Sequence, residues 1–167
     1  MTKQQYKKIS EPFRKSQSLQ KGLKIANKGA VYFMACVYGM SLIRALQSGF
    51  FEAAAAVLIP GVWFVLLSAF RSWYSAKRPY EVWNIRPLLE KDTKGKSFPS
   101  RHVFSAFIIA SVCITYVPYV GIAAMVVAGI LAWIRVIAGV HFTKDVLAGA
   151  VVGIGGWFLG YGILQYL

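Results

Sequence analysis

The chain has 167 residues, 57% hydrophobic and 15% charged, with 19 Lys and Arg against 6 Asp and Glu for a formal net charge of +13. A length of this order is one domain, and a soluble one would carry about 25% charged residues. So little charge on so apolar a chain indicates lipid as the solvent and excludes a histone-like or disordered nucleic-acid binder. Cys36 and Cys113 both lie in apolar runs, which excludes a disulfide framework and zinc-ligand spacing.

Residues 1–28 contain Lys3, Lys7, Lys8, Arg14, Lys15, Lys21, Lys24 and Lys28 and cannot span a bilayer. Leu19, Leu23 and Ala26 fall at helical spacing between lysines, which suits an amphipathic interfacial helix, with a disordered basic tail as the other reading. This segment is set apart from a membrane-embedded domain, 29–167. The first span is expected over about 29–48, with Arg44 snorkelling near its end, and the second over about 53–70. The first is too far from the N-terminus, and too poor in small-residue cleavage sites, for a cleaved signal peptide. Residues 71–102 are polar and belong at or outside one membrane face.

From 103 to 134 the chain is uncharged for 32 residues, long for one span and short for two. Val117-Pro118-Tyr119-Val120-Gly121 supplies a break, predicting helices over about 103–117 and 120–139. The last span is expected over about 146–167, where Gly149, Gly153, Gly156 and Gly160 offer close helix packing. The expected fold is therefore all-α, a polytopic bundle of about five transmembrane helices plus the N-terminal amphipathic helix. Five spans put the N-terminus, residues 71–102 and residues 135–145 on one side, face X. One long helix over 103–134 would have separated these segments.

The ionisable residues of face X carry the chemistry. His102 and His141 are the only histidines, and both sit beside arginines at a membrane boundary. Pro99-Ser100-Arg101-His102 opens a helix, with Ser100 placed to cap it and unpaired N–H groups favouring an anion. Asp145, four residues after His141, can reach one ring nitrogen across one helical turn and leave the other free to attack. Arg71, Lys77, Arg78, Arg101 and Arg135 could surround a phosphoryl group, because guanidinium forks match phosphate oxygens. The plainer reading of these cations is a basic rim against lipid headgroups.

The order Arg71-x6-Arg78-Pro79, Pro99-Ser100-Arg101-His102 and Arg135-x5-His141-x3-Asp145 resembles the three-part signature of the type-2 phosphatidic acid phosphatase superfamily, which includes vanadium haloperoxidases and glucose-6-phosphatase. The resemblance covers about residues 71–145. It implies a membrane lipid phosphatase in which His141 becomes phosphohistidine, Asp145 orients it, and His102 protonates the leaving alkoxide and then activates water. It also implies that Arg71, Arg78, Ser100 and Arg135 hold the phosphoryl oxygens. No metal or other cofactor is expected, since cationic side chains and helix-end N–H groups supply the positive field. Three positions depart from the family pattern: Arg71 stands where Lys is usual, Arg101 where Gly is usual, and Ile134 where Ser is usual. Lys77 is a less well spaced substitute for the usual Lys. The family usually has six spans, and the N-terminal amphipathic segment can take the place of the first.

Face X carries 18 Lys and Arg and the opposite face only Arg44, which predicts a cytoplasmic site in a bacterial cell membrane. That side favours phosphatidylglycerol phosphate, phosphatidic acid or a polyprenyl phosphate as substrate, with membrane lipids around it and no nucleic-acid partner. An outward site would instead favour undecaprenyl pyrophosphate. Two other classes remain: a catalytically inactive lipid-binding scaffold, and a small transporter, which would place its polar groups nearer the midplane.

Overall fold

Side-chain oxygens start the first two helices. Thr2 accepts from the Gln5 amide at 3.3 Å while the Gln5 side chain accepts from the Thr2 amide at 2.8 Å, a reciprocal cap. Ser16 caps the next helix by accepting from the Leu19 amide at 3.3 Å. The computed structural model describes residues 1–89 and 93–166. Glu90, Lys91 and Asp92, part of the expected polar segment, and Leu167, the end of the last expected span, lie outside the described residues. The described helices are α1 (Lys3–Lys15), α2 (Gln17–Ser48), α3 (Phe50–Tyr74), α4 (Pro79–Trp83), α5 (Arg101–Tyr116), α6 (Pro118–Ile137) and α7 (Thr143–Gln165).

α2, α3, α6 and α7 are long and apolar enough to cross a membrane, and α5 is a shorter apolar helix. At about 1.5 Å per residue α5 extends about 24 Å. It needs no lipid-facing length because it packs against α2, α3, α6 and α7, and eight of its 16 residues are buried. Outward-facing residues on the surrounding helices are apolar instead. Ile122, Val126, Ile130 and Trp133 form an exposed stripe on α6, and Leu147, Val151, Phe158 and Leu159 are exposed on α7. Apolar surface this extensive belongs in lipid.

The break expected near Pro118 falls at Val117, between α5 and α6. The N-terminal boundary differs from expectation. Residues 17–28 are the first turns of α2, continuous with the span, and the chain breaks at Ser16. The run of lysines marks where the helix leaves lipid, not where it starts. α1 also rests on protein as well as facing outward: Tyr6 is buried and stacks near Trp83 with ring centroids 5.3 Å apart. Arg14 donates to the Tyr6 hydroxyl at 2.9 Å and to the Arg86 carbonyl at 2.7 Å.

Four of the six α7 glycines are points of close approach. A methyl group at Gly149 would lie 2.7 Å from the Ser100 carbonyl oxygen, and one at Gly153 would lie 2.8 Å from that of Phe104. Gly156 faces the Trp63 ring and Gly160 faces Ile59. The first pair seats α5 on α7, and the second seats α3. At the opposite end of the bundle, Tyr116 and Tyr161 both donate to the Glu52 carboxylate, at 2.7 and 3.0 Å, and Trp157 donates to Thr115 at 2.9 Å. These bonds join α3, α5 and α7 at the far face and leave the X ends for the site.

Gly149→Ala is expected to force the start of α5 away from α7, because the contacted atoms are backbone and cannot rotate aside. Overpacking of this kind costs about 1–3 kcal/mol, readable as a lower melting temperature in detergent. Since Ser100 and His102 move with α5 while His141 and Asp145 do not, turnover should fall as well.

Candidate active site

α3 ends at Ser75, whose left-handed backbone (φ 42°, ψ 42°) turns the chain as its N–H bonds the Arg71 carbonyl. The chain then runs extended to Arg78, and Pro79 opens α4 with its ring pre-set to the helical φ. This reversal leaves Lys77 exposed and buries Arg78. Arg78 donates through Nε to the Gly95 carbonyl at 2.9 Å and through Nη1 to that of Val140 at 3.1 Å, and the same Nη1 lies 3.4 Å from His141 Nε2. Arg71, also buried, donates to the carbonyl oxygens of Lys96, Ser97 and Pro99.

Both arginines thus hold the loop that leads into α5. Glu81 completes the tie by accepting from the amides of Arg78 (2.8 Å) and Gly95 (2.9 Å), and the Ser97 amide donates to the Ala76 carbonyl at 2.9 Å. The loop then delivers Ser100, whose amide donates to the Asp145 carbonyl at 2.8 Å. Ser100 stands at the cap position expected of it, but its side chain makes no capping bond and its buried Oγ has no partner among the described residues. The hydroxyl and the first amides of α5 are therefore left for another acceptor.

After α6, Gly139 turns the chain with φ at +72°, its α-carbon so close to the Tyr6 hydroxyl that an added methyl would lie at 2.5 Å. His141 follows, buried. Its Nδ1 is 3.7 Å from Asp145 Oδ2 and 3.4 Å from Ser97 Oγ. The first distance is too long for a hydrogen bond. Asp145 Oδ2 accepts instead from Ser97 Oγ at 2.5 Å and from the Phe142 amide at 2.9 Å. Acceptors thus face Nδ1, while the guanidinium of Arg78 faces Nε2, which favours a proton on Nδ1 and a lone pair on Nε2. Burial pushes the imidazole down from 6.5 to about 4; Asp145 opposes the shift, and Arg78 and Arg135 add to it. The ring is therefore neutral at pH 7.

A polar cavity of about 280 Å³ is lined by Arg71, Arg78, Arg101, His102 and His141, with Ser68, Ser72, Thr93 and Lys96. Arg101 and His102 also line an apolar groove of about 460 Å³, built from Val31, Met34 and Tyr38 of α2, Phe64 of α3, and Ser105 and Ile109 of α5. Arg101 lies over the Phe64 ring at 5.4 Å. Arg135 is buried, bonds Asn27 at 3.0 Å, and lines a third cavity that His102 also borders.

Residues 49–167 match the protein family described as the PAP2 superfamily. The chain belongs to this superfamily. The likeness extends to solved PAP2 folds. The crystal structure of the first transmembrane PAP2-type phosphatidylglycerolphosphate phosphatase, from Bacillus subtilis, superposes with a TM-score of 0.69 at 21% identity, covering 98% of this chain and 86% of that one. That of Aquifex aeolicus LpxE gives 0.72 at 21% identity, covering 95% and 93%. No curated protein sequence matches significantly. PAP2 membership makes the chain a phosphoric ester hydrolase by family, and its apolar helices make it an integral membrane protein.

Within this PAP2 fold, Arg71, Arg78, Arg101, His102 and His141 meet at one cavity, with Asp145 and Ser100 buried and Arg135 lining a neighbouring cavity that His102 also borders. Lys77 is not among the residues lining it, because the turn after Ser75 presents Arg78 inward in its place. Sequence reasoning missed Ser97 and Glu81. Ser97 stands three residues ahead of Ser100 in the same short loop, the only sequence signal for it, and its carboxylate partner lies 48 residues away. Asn27, the partner of Arg135, was missed because it sat in a segment read as separate from the domain.

Proposed function

We infer that this PAP2 protein is a lipid phosphatase that transfers a terminal phosphoryl group first to His141 and then to water. What supports lipid as the substrate is that the polar cavity and the apolar groove share Arg101 and His102. A phosphoryl group in the first can continue as a hydrocarbon chain in the second without crossing water.

In the first step Nε2 of His141 attacks phosphorus while the bond to the leaving oxygen breaks, and His102 gives that oxygen its proton. In the second, His102 takes a proton from water, the hydroxide attacks the phosphohistidine, and the electron pair returns to Nε2. Arg78, Arg135 and the Ser100 hydroxyl and amides would stabilise the equatorial oxygens, where transition-state charge resides. Arg71 donates to loop carbonyls, a geometry that lets it fix the phosphate loop while adding its charge to the cavity. With this cationic lining the reaction is expected to need no metal.

Phosphate release from phosphatidylglycerol phosphate, phosphatidic acid and a polyprenyl phosphate, each with excess chelator, tests the reading. Release from at least one of them is the expected result, with inhibition by vanadate. No release from any would favour the inactive lipid-binding scaffold.

The charge asymmetry, 18 cations against one, supports a cytoplasmic site in a bacterial membrane. In a Cys36→Ser background, Lys94→Cys should resist a membrane-impermeant maleimide added to intact cells and react after lysis. Labelling from outside would reverse the orientation and make undecaprenyl pyrophosphate the leading substrate.

A further inference from the structure

His141 is carried by a short loop, 138–142, between α6 and α7. The backbone on either side places its ring: Gly139 makes the left-handed turn before it, and the Phe142 amide after it donates to Asp145 Oδ2. Tyr6 of α1 reaches both positions. Its hydroxyl fills the space that a side chain at Gly139 would need. Its ring lies 5.3 Å from that of Trp83, which meets the Phe142 ring edge-on at 5.2 Å. Tyr6 is only 1% exposed, on a helix whose outward residues include Lys3, Lys7, Lys8 and Lys15, so protein rather than lipid holds it.

The rest of the inner face of α1 bears on the same region. Ile9, three residues on and on the same side of the helix, packs against the cluster containing Ala138 and Val140 and against that of Val103, Val136 and Val146. Arg14 donates to the Tyr6 hydroxyl and to the Arg86 carbonyl, tying the tyrosine to the segment after α4. Among the described residues that line the polar cavity and the apolar groove, none belongs to α1. This helix therefore supports the chain before and after His141 without touching the spaces assigned to the substrate.

We propose that Tyr6 is a positioning residue for the nucleophile, which fills the turn at Gly139 and braces Phe142 through Trp83 so that the His141 loop stays in register with the phosphoryl group. This rests on the phosphatase reading and adds α1 to the parts that the reaction needs. A nucleophile must be held at near-attack distance, and a displacement of about 1 Å costs about 10²-fold in rate. Without the Tyr6 ring, neither end of the loop keeps its support.

The test uses whichever of the three lipid phosphates the wild type turns over. Tyr6→Ala should lower kcat by about 10²-fold and leave KM within about threefold, because the substrate spaces are untouched. Tyr6→Phe keeps the ring against Trp83 and should recover most of the lost rate. Trp83→Leu cuts the route to Phe142 from a half-buried position and should also lose kcat rather than KM, so the test survives a Tyr6→Ala variant that does not fold. An unchanged kcat in the folded variants, or a loss carried by KM alone, would overturn the proposal.

A chemical probe reads the loop without turnover. His102→Asn leaves His141 as the sole histidine, and diethyl pyrocarbonate acylates a neutral imidazole with a rise in ultraviolet absorbance that hydroxylamine reverses. His141 is buried, so it should react slowly in that background; adding Tyr6→Ala should speed the reaction by about tenfold or more, and adding Tyr6→Phe should not. If the wild type hydrolyses no lipid phosphate while Tyr6→Ala still unmasks His141, the phosphatase reading fails and the brace stands. If the wild type is active and Tyr6→Ala changes neither kcat nor this reactivity, the reverse is true. A loss of kcat with unchanged His141 reactivity would place the effect outside this loop and overturn the proposal as well.

Discussion

His141→Ala is expected to lower phosphate release by more than about 10³-fold, the scale on which enzymes lose activity when a covalent nucleophile is removed. Substrate binding should survive, because Arg71, Arg78 and Arg101 still line the cavity. Full activity in this variant would end the phosphohistidine mechanism. The protonation of the same ring can be read directly. The chain has two histidines, so His102→Asn leaves one imidazole for an NMR titration. Its midpoint should fall near 4, where burial holds it, and a midpoint near 6.5 would contradict the buried, neutral nucleophile. The sign for stability follows. Between pH 6.5 and about 4 the unfolded chain binds this proton and the folded protein does not, so acidification across that window destabilises the fold.

Asp145→Asn should be the second most damaging substitution, by about 10²- to 10³-fold in turnover. Asp145 Oδ2 accepts from both the Ser97 hydroxyl and the Phe142 amide and faces Nδ1 of His141. All three contacts fall on one oxygen, so an asparagine can place its carbonyl oxygen there and keep both bonds. What it loses is the negative charge that stabilises the imidazolium-like ring once Nε2 carries phosphorus. Because shape and volume are unchanged, the melting temperature should shift far less than the rate. A loss in rate matched by an equal loss of folded protein would assign Asp145 a structural role only.

What the sequence made legible were features carried by local pattern. The uncharged run of 32 residues with Pro118 inside it located α5 and α6, and three motifs placed eight of the nine expected site residues in or beside one cavity cluster. The exception, Lys77, depended on which way a four-residue turn rotates. Other features depended on pairing across long separations. Ser97 acquires a role only when α7 brings Asp145 to it. Nothing in Arg71 as a letter says that its guanidinium will bond backbone carbonyls. The start of the first long helix was hidden for a different reason: charge density reports where water begins, whereas a helix ends where its caps are, and Ser16 is the cap.

The continuity of α2 has a mechanical consequence. Its 32 residues amount to about 48 Å of unbroken helix, against a hydrocarbon core of about 30 Å. The turns bearing Lys24, Asn27 and Lys28 therefore stand beyond the hydrocarbon core on the same rod that crosses it. A stiff rod tilts as a whole, so the way this helix leans to match membrane thickness also sets how near its lysines stand to His102. Bilayers of different thickness are thereby different mechanical settings for the mouth of the site.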